Sequence, residues 1–123
     1  MSAFSDQIAE LIDDTLEYQD GTLFAQIKFN ENFIGFNGHF PGNPVLPGVV
    51  MIKVMTQMFA RYKKKEYRLS QIKKAKFIEP IFADNIALFF VKPDENEGEI
   101  KLQGKILKSD KIIAKISLVL QAK

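Results

Sequence analysis

The chain has 123 residues, of which 46% are hydrophobic and 26% are charged, so it is long enough for one domain with a substantial core and too short for two. It lacks cysteine, which excludes disulfides and any cysteine-based metal site or nucleophile. We see neither a leader-like segment nor an apolar run of the ~20 residues that span a membrane, so the cytoplasm is the expected compartment. The formal net charge is +2, but residues 1–31 hold seven acidic residues against one basic residue, and residues 61–76 hold eight basic residues against one acidic residue. Such an asymmetry suits an acidic partner, and it is equally typical of a solvated surface.

The first predicted elements are a short helix and a hairpin. Apolar residues within residues 8–12 recur at the i, i+3, i+4 spacing of a helix. Residues 16–18 then alternate between apolar and polar up to Asp20-Gly21, a dipeptide typical of tight hairpin turns. The alternation in residues 22–29 predicts the second strand of that hairpin.

A long helix is predicted in the middle of the chain. Residues 30–48 are rich in Gly, Pro, Asn and Phe and are predicted to be irregular. The mostly apolar run from Val49 to Tyr62 has about 14 residues, which is longer than a usual strand, and it ends in basic residues that suit the C-terminal end of a helix dipole. The few polar residues of this run fall on one stripe, so we expect the helix to be buried on most sides.

Four strands are predicted after the helix. They cover residues 69–78, stopped by Pro80; residues 86–90, ended by a turn at Pro93–Gly98; residues 100–106; and residues 112–120, after a turn at Ser109-Asp110. Because helix and strands are segregated along the chain, the pattern predicts an α+β fold with a largely antiparallel sheet. The economical arrangement is a single domain over residues 1–123, in which a curved sheet wraps around one long central helix.

Residues 38–49 are the most informative segment for function. Three prolines and three glycines in these twelve residues fix an irregular path into the start of the helix, and His39, the only histidine, stands near its beginning. The free N–H groups at a helix N-terminus can bind an anion or polarise a carbonyl oxygen. A neutral imidazole is the natural base near pH 7. The segment therefore predicts a site that combines a base with carbonyl-binding N–H groups.

The run Gly-His-Phe-Pro-Gly-Asn-Pro-Val-Leu-Pro-Gly-Val at residues 38–49, followed along the helix by Gln57, is similar to the signature of the β-hydroxyacyl-[acyl-carrier-protein] dehydratases. These are hot-dog-fold enzymes of fatty acid synthesis. The resemblance implies a dimeric hot-dog fold with His39 as the base that removes the proton α to a thioester carbonyl. It also implies that the backbone N–H of Gly48 binds the carbonyl oxygen. Weaker likeness extends over residues 30–36 and 75–80.

The resemblance also implies a substrate and partners. The expected substrate is a fatty acyl thioester, carried by acyl carrier protein, and we expect no cofactor and no metal. A homodimer is expected, with a higher oligomer or a hetero-pair with another hot-dog subunit as alternatives; a nucleic acid or a membrane is not expected. Residues expected to line the acyl-binding cavity are Phe36, Phe40, Pro47, Val49 and Gln57.

One position departs from the family pattern. Fourteen residues after the histidine the family has a Glu or Asp that helps expel the β-hydroxyl group as water, and in family members this acid faces a histidine of the other subunit. This chain has Lys53 there, and an ammonium group has no acceptor and is normally protonated at neutral pH. Three interpretations are open: the site has lost dehydration and kept acyl binding, a desolvated Lys53 serves as the acid, or Lys53 belongs to a solvated stripe and has no role.

The predicted reaction is removal of water from a (3R)-3-hydroxyacyl chain, impaired to the extent that Lys53 fails to replace the acid. Two alternatives come from other classes of protein. One is a non-catalytic acyl-binding partner of an intact dehydratase subunit. The other is an acyl thioesterase, for which Glu31 is the only acidic residue near the motif in sequence.

Overall fold

A computed structural model of the chain describes residues 3–33 and 45–123. Its elements are α1 (Ala3–Asp13), β1 (Glu17–Gln19), β2 (Thr22–Lys28), α2 (Gly48–Lys63), β3 (Tyr67–Phe77), β4 (Ile86–Asn96), β5 (Glu99–Lys108) and β6 (Lys111–Ala122). The six described strands form one sheet in the order β1-β2-β4-β5-β6-β3, with every neighbouring pair antiparallel. The α+β prediction, with an antiparallel sheet and one long helix, is confirmed.

Tight turns set the register of the sheet. The β1–β2 turn is the predicted Asp20-Gly21 pair, with φ of 52° and 81°, and the β5–β6 turn is the predicted Ser109-Asp110 pair, with φ of 51° and 64°. Two successive positive φ values characterise the type I′ hairpin turn, whose twist matches that of the flanking strands. Residues 97–98 form a third such turn, between β4 and β5.

The end of β4 was predicted too early. The strand continues through Pro93 to Asn96, and Pro93 lies opposite Leu102 of β5. The pairing of β2 with β4 ends at Leu23 and Val91, so beyond that point β5 is the only described strand that pairs with β4. A proline is tolerated there because its missing N–H would have faced an unpaired edge.

Helix α2 supplies the centre of the core. Its apolar side chains pack against the inward row of the sheet and against Ile8 and Ile12 of α1, which are fully buried. Among the described residues no polar or charged side chain is buried, so the contacts between core side chains are apolar. The residues that α2 buries are Val50, Met51, Ile52, Val54, Met55, Met58 and Phe59.

The sheet leaves one long edge uncovered. Strand β3 has eleven residues and exposes every residue after Tyr67, and among the described strands it pairs only with β6. Large apolar side chains lie along it, with 40% of Leu69, 47% of Ile72 and 44% of Phe77 exposed. An edge of this length, with unpaired backbone groups and apolar side chains, is a template for pairing with another strand.

Candidate active site

The segment that leads into α2 is fixed to the chain that follows β3. The N–H of Leu46 donates to the carbonyl of Ile81 at 2.8 Å, and Val45 forms an antiparallel bridge with Phe82. Leu46 itself is buried. These contacts hold the start of α2 in one position relative to the sheet.

The first N–H groups of α2 have no partner among the described hydrogen bonds of the helix. Pro47 precedes the helix in an extended conformation (φ −63°, ψ 146°) and provides no side-chain cap, and the first turn contains no acidic residue. The Pro47 carbonyl accepts the N–H of Val50 at 3.0 Å, so the N–H groups of Gly48 and Val49 lie beyond the reach of the helical hydrogen bonds. An uncapped helix start of this kind can donate to a carbonyl oxygen. Val49 is 70% exposed, so the end of the helix is open to solvent on that side.

Gly48 lies against the side chain at the end of β3. A Cβ atom placed on Gly48 would lie 2.7 Å from Cζ and 2.9 Å from Cε2 of the Phe77 ring, closer than such atoms approach in proteins. Any side chain at residue 48 would therefore displace the ring. The ring touches the same residue whose N–H the resemblance assigns to the substrate carbonyl.

Lys53 and Gln57 lie together on the incompletely buried side of α2. Both are half-buried, they are one helical turn apart, and they line a cleft of about 730 Å³ together with Thr56, Lys64 and Lys65. The stripe predicted for the polar residues of this helix is thus present in the structure.

The far end of this cleft is tied to α1 by an ion pair. Arg61 donates to both carboxylate oxygens of Asp13, and this hydrogen bonding raises the pKa of the guanidinium above its usual value. Lys63 pairs similarly with Glu95 of β4 at 3.0 Å. Part of the basic segment, for which an acidic partner and a solvated surface were both open interpretations, therefore already has partners within the chain.

Three of the predicted site residues lie outside the described residues: His39, Phe36 and Phe40. Convergence of His39 with Gly48 therefore stays a prediction. Of the other predicted residues, the structure places Pro47, Gly48 and Val49 at the start of α2, and Lys53 and Gln57 along one of its faces. The contact of Phe77 with Gly48 was not predicted, because it joins positions far apart in sequence.

The described part of the chain shows neither a metal site nor a membrane-spanning helix. It contains no group of three or more His, Asp or Glu side chains able to hold a metal ion. Neither of its helices has the length and apolar character needed to cross a membrane.

Comparison with known proteins gives matches in sequence and in fold. Residues 15–115 match the model of the ApeI-like family, described as ApeI dehydratase. A 3-hydroxyacyl-[acyl-carrier-protein] dehydratase FabZ from Fusobacterium nucleatum is 33% identical over 97 residues, which cover 74% of this chain and 67% of the relative. The FabZ of Klebsiella pneumoniae is 28% identical over 122 residues, covering 89% of this chain and 80% of the relative.

Solved structures agree with this assignment at the level of the fold. The dehydratase heterocomplex ApeI:P from Xenorhabdus doucetiae superposes with a TM-score of 0.67 at 23% identity, covering 85% of this chain and 91% of that one. A hypothetical thioesterase with coenzyme A from Streptococcus pneumoniae gives a TM-score of 0.70 at 11% identity, covering 98% and 94%. The family match spans most of the chain, and the sheet wrapped around α2 is the predicted hot-dog fold. This chain is therefore a member of the ApeI-like family of hot-dog dehydratases.

Proposed function

We propose that this protein binds a fatty acyl thioester on acyl carrier protein and acts in the cytoplasm as a single-domain (3R)-3-hydroxyacyl dehydratase of reduced activity. The proposal is carried by the family match over residues 15–115, together with the uncapped start of α2 at Gly48. In the proposed reaction His39 removes the proton α to the carbonyl, and the Gly48 N–H binds the carbonyl oxygen as negative charge develops on it. Pro47, Val49 and Gln57, with Phe36 and Phe40, are the proposed acyl contacts.

The reduction in activity follows from Lys53. The elimination needs a group that gives a proton to the departing hydroxyl, and the carboxyl group found here in the family can both donate and accept a proton, whereas the amino group of Lys53 as an ammonium has no acceptor. A positive charge at this position also replaces a negative one beside the proposed substrate. We therefore expect acyl binding to be retained better than dehydration.

We propose that the working unit is a dimer formed along β3. Addition of a second copy to this edge would pair its open backbone groups and cover Leu69 and Ile72, which are 40% and 47% exposed in the single chain. The long pairing of β3 with β6 leaves the other side of β3 available over eleven residues.

The test is dehydration of a 3-hydroxyacyl carrier-protein substrate by four proteins: the wild type, His39→Ala, Lys53→Glu and Lys115→Glu. Lys115 is an exposed lysine of β6, and its reversal serves as the matched charge control. We expect a slow wild type, faster turnover by Lys53→Glu, no turnover by His39→Ala, and no change in Lys115→Glu. A wild type as fast as an intact dehydratase would refute the impairment, and a wild type that neither dehydrates nor binds the substrate would refute the proposed function.

A second candidate is a non-catalytic acyl-binding partner of an intact dehydratase subunit. It is favoured by the likeness to a chain of the dehydratase heterocomplex ApeI:P. Such a protein would co-purify with a second hot-dog chain, and the pair would keep its activity when this chain carries His39→Ala. Release of free thiol from the substrate in the same assay would instead indicate a thioesterase.

A further inference from the structure

We infer that Phe77 is a specificity-determining residue of the proposed site, and that its ring admits acyl chains that are unbranched next to the thioester carbonyl and rejects chains with a 2-methyl branch. The inference rests on the proposed function, because it takes the Gly48 N–H as the donor to the carbonyl oxygen. Beyond the proposed function, it specifies whether the substrate can carry a branch on the carbon next to the carbonyl.

The backbone at Phe77 is fixed. Phe77 is the last residue of β3, where it pairs with Ala114 of β6. Immediately after it, the N–H groups of Ile78 and Glu79 both donate to the carbonyl of Ile113, at 2.7 and 3.3 Å. The ring therefore projects from a strand end that is held on the sheet, so its base does not move freely relative to α2.

The rim of the ring is directed at Gly48. The three ring atoms nearest to the Cβ position of Gly48 are Cζ, Cε2 and Cε1, at 2.7, 2.9 and 3.2 Å, and these form the end of the ring farthest from the backbone. The amide nitrogen and the Cβ position of one residue are about 2.5 Å apart by covalent geometry. The rim thus lies within about 5 Å of the nitrogen that would hold the carbonyl oxygen.

That separation places the ring near the carbons beside a bound carbonyl. An oxygen that accepts from the Gly48 N–H lies about 2.9 Å from the nitrogen, and the carbon next to the carbonyl lies a little farther out. A methyl branch on that carbon, directed toward β3, would meet the ring. In the single chain 44% of Phe77 is exposed, so the ring is not enclosed in the core of its own subunit.

The test compares binding of two amide-linked, hydrolysis-resistant acyl-pantetheine analogues of equal chain length, one straight and one 2-methyl-branched. We expect the wild type to bind the straight analogue about tenfold or more tightly, because one methyl group in a fitted apolar site changes affinity by at least that factor. Phe77→Ala should reduce this preference to about twofold. Phe77→Leu should lie between them. Ile86→Ala, which truncates a side chain that is 51% exposed on β4, is the matched control and should keep the wild-type preference.

The outcomes separate this inference from the function on which it rests. Equal binding of the two analogues by the wild type, or an unchanged preference in both Phe77 variants, would overturn the inference alone. A wild type that binds neither analogue would refute the proposed function and the inference with it. One measurement requires no ligand. Gly48→Ala should lower the free energy of unfolding of the wild type and leave that of the Phe77→Ala variant unchanged. An equal loss in both proteins would show that the ring does not occupy the space beside Gly48.

Discussion

Gly104 of β5 offers a sharp test of how closely α2 lies on the sheet. A Cβ atom on Gly104 would lie 2.7 Å from the terminal methyl carbon of Met55, overlap its sulfur, and come within 3.3 Å of the Ile116 carbonyl oxygen. Met55 is fully buried on α2. The substitution Gly104→Ala therefore forces a methyl group into the line of closest approach between helix and sheet.

The expected cost can be worked out from opposing contributions. Overfilling a packed core costs about 1–3 kcal/mol, and replacing Gly by Ala returns about 0.4–1 kcal/mol by restricting the unfolded chain. We expect Gly104→Ala to lower the free energy of unfolding by about 1 kcal/mol. Met55→Ala alone should cost about 2–5 kcal/mol because it leaves a cavity. In that background the new methyl group fills vacated space, so Gly104→Ala should become neutral or stabilising by up to about 1 kcal/mol.

The assay is a double-mutant cycle in urea, followed by circular dichroism. The matched control is Gly98→Ala at the β4–β5 turn, where φ is +82° and no atom lies within 4 Å of the Cβ position. That variant should lose stability through its backbone conformation, and by the same amount with or without Met55. If Gly104→Ala costs the same in both backgrounds, the close approach of Met55 to β5 is not what excludes a side chain.

Three further predictions concern other parts of the molecule. Ile72→Lys should convert the proposed dimer to a monomer in light scattering, because it places a charge on the open edge of β3; an unchanged mass would contradict pairing along this edge. Phe89→Ala should cost about 3–5 kcal/mol in urea unfolding, since Phe89 is fully buried on β4, and a loss under 1 kcal/mol would contradict that placement. Asp13→Ala should cost no more than about 1 kcal/mol and lose its effect in high salt, because the pair with Arg61 is exposed; a larger, salt-independent loss would contradict this.

The elements that local chemistry determines could be predicted from the sequence. The turns at Asp20-Gly21 and Ser109-Asp110 were correct because few residues adopt positive φ in pairs, and the bounds of α2 were correct to within a residue because a long apolar run with few polar positions fits only a buried helix.

Features that depend on neighbouring strands could not be predicted in this way. Both rows of β4 are apolar: Phe89 faces the core, while Phe90 packs against Phe24 on the outer face of the sheet at 5.1 Å between ring centroids. Alternation therefore gives no signal of which row points inward. The same limit applies to the candidate site, where Gly48 could be singled out from its motif but its contact with Phe77 depends on how β3 lies against α2.

The order of the strands has a consequence for how the chain folds. Two-residue turns join β4 to β5 and β5 to β6, so that Asn96 pairs with Glu99 only three positions along the chain. Lys28 of β2 pairs with Ile86, and the chain between these two residues includes all of α2. Closing a loop roughly twenty times longer costs about 2.5 kcal/mol more in chain entropy. We therefore expect the three C-terminal strands to form the nucleus, with β2 and β3 added to its two sides as α2 docks.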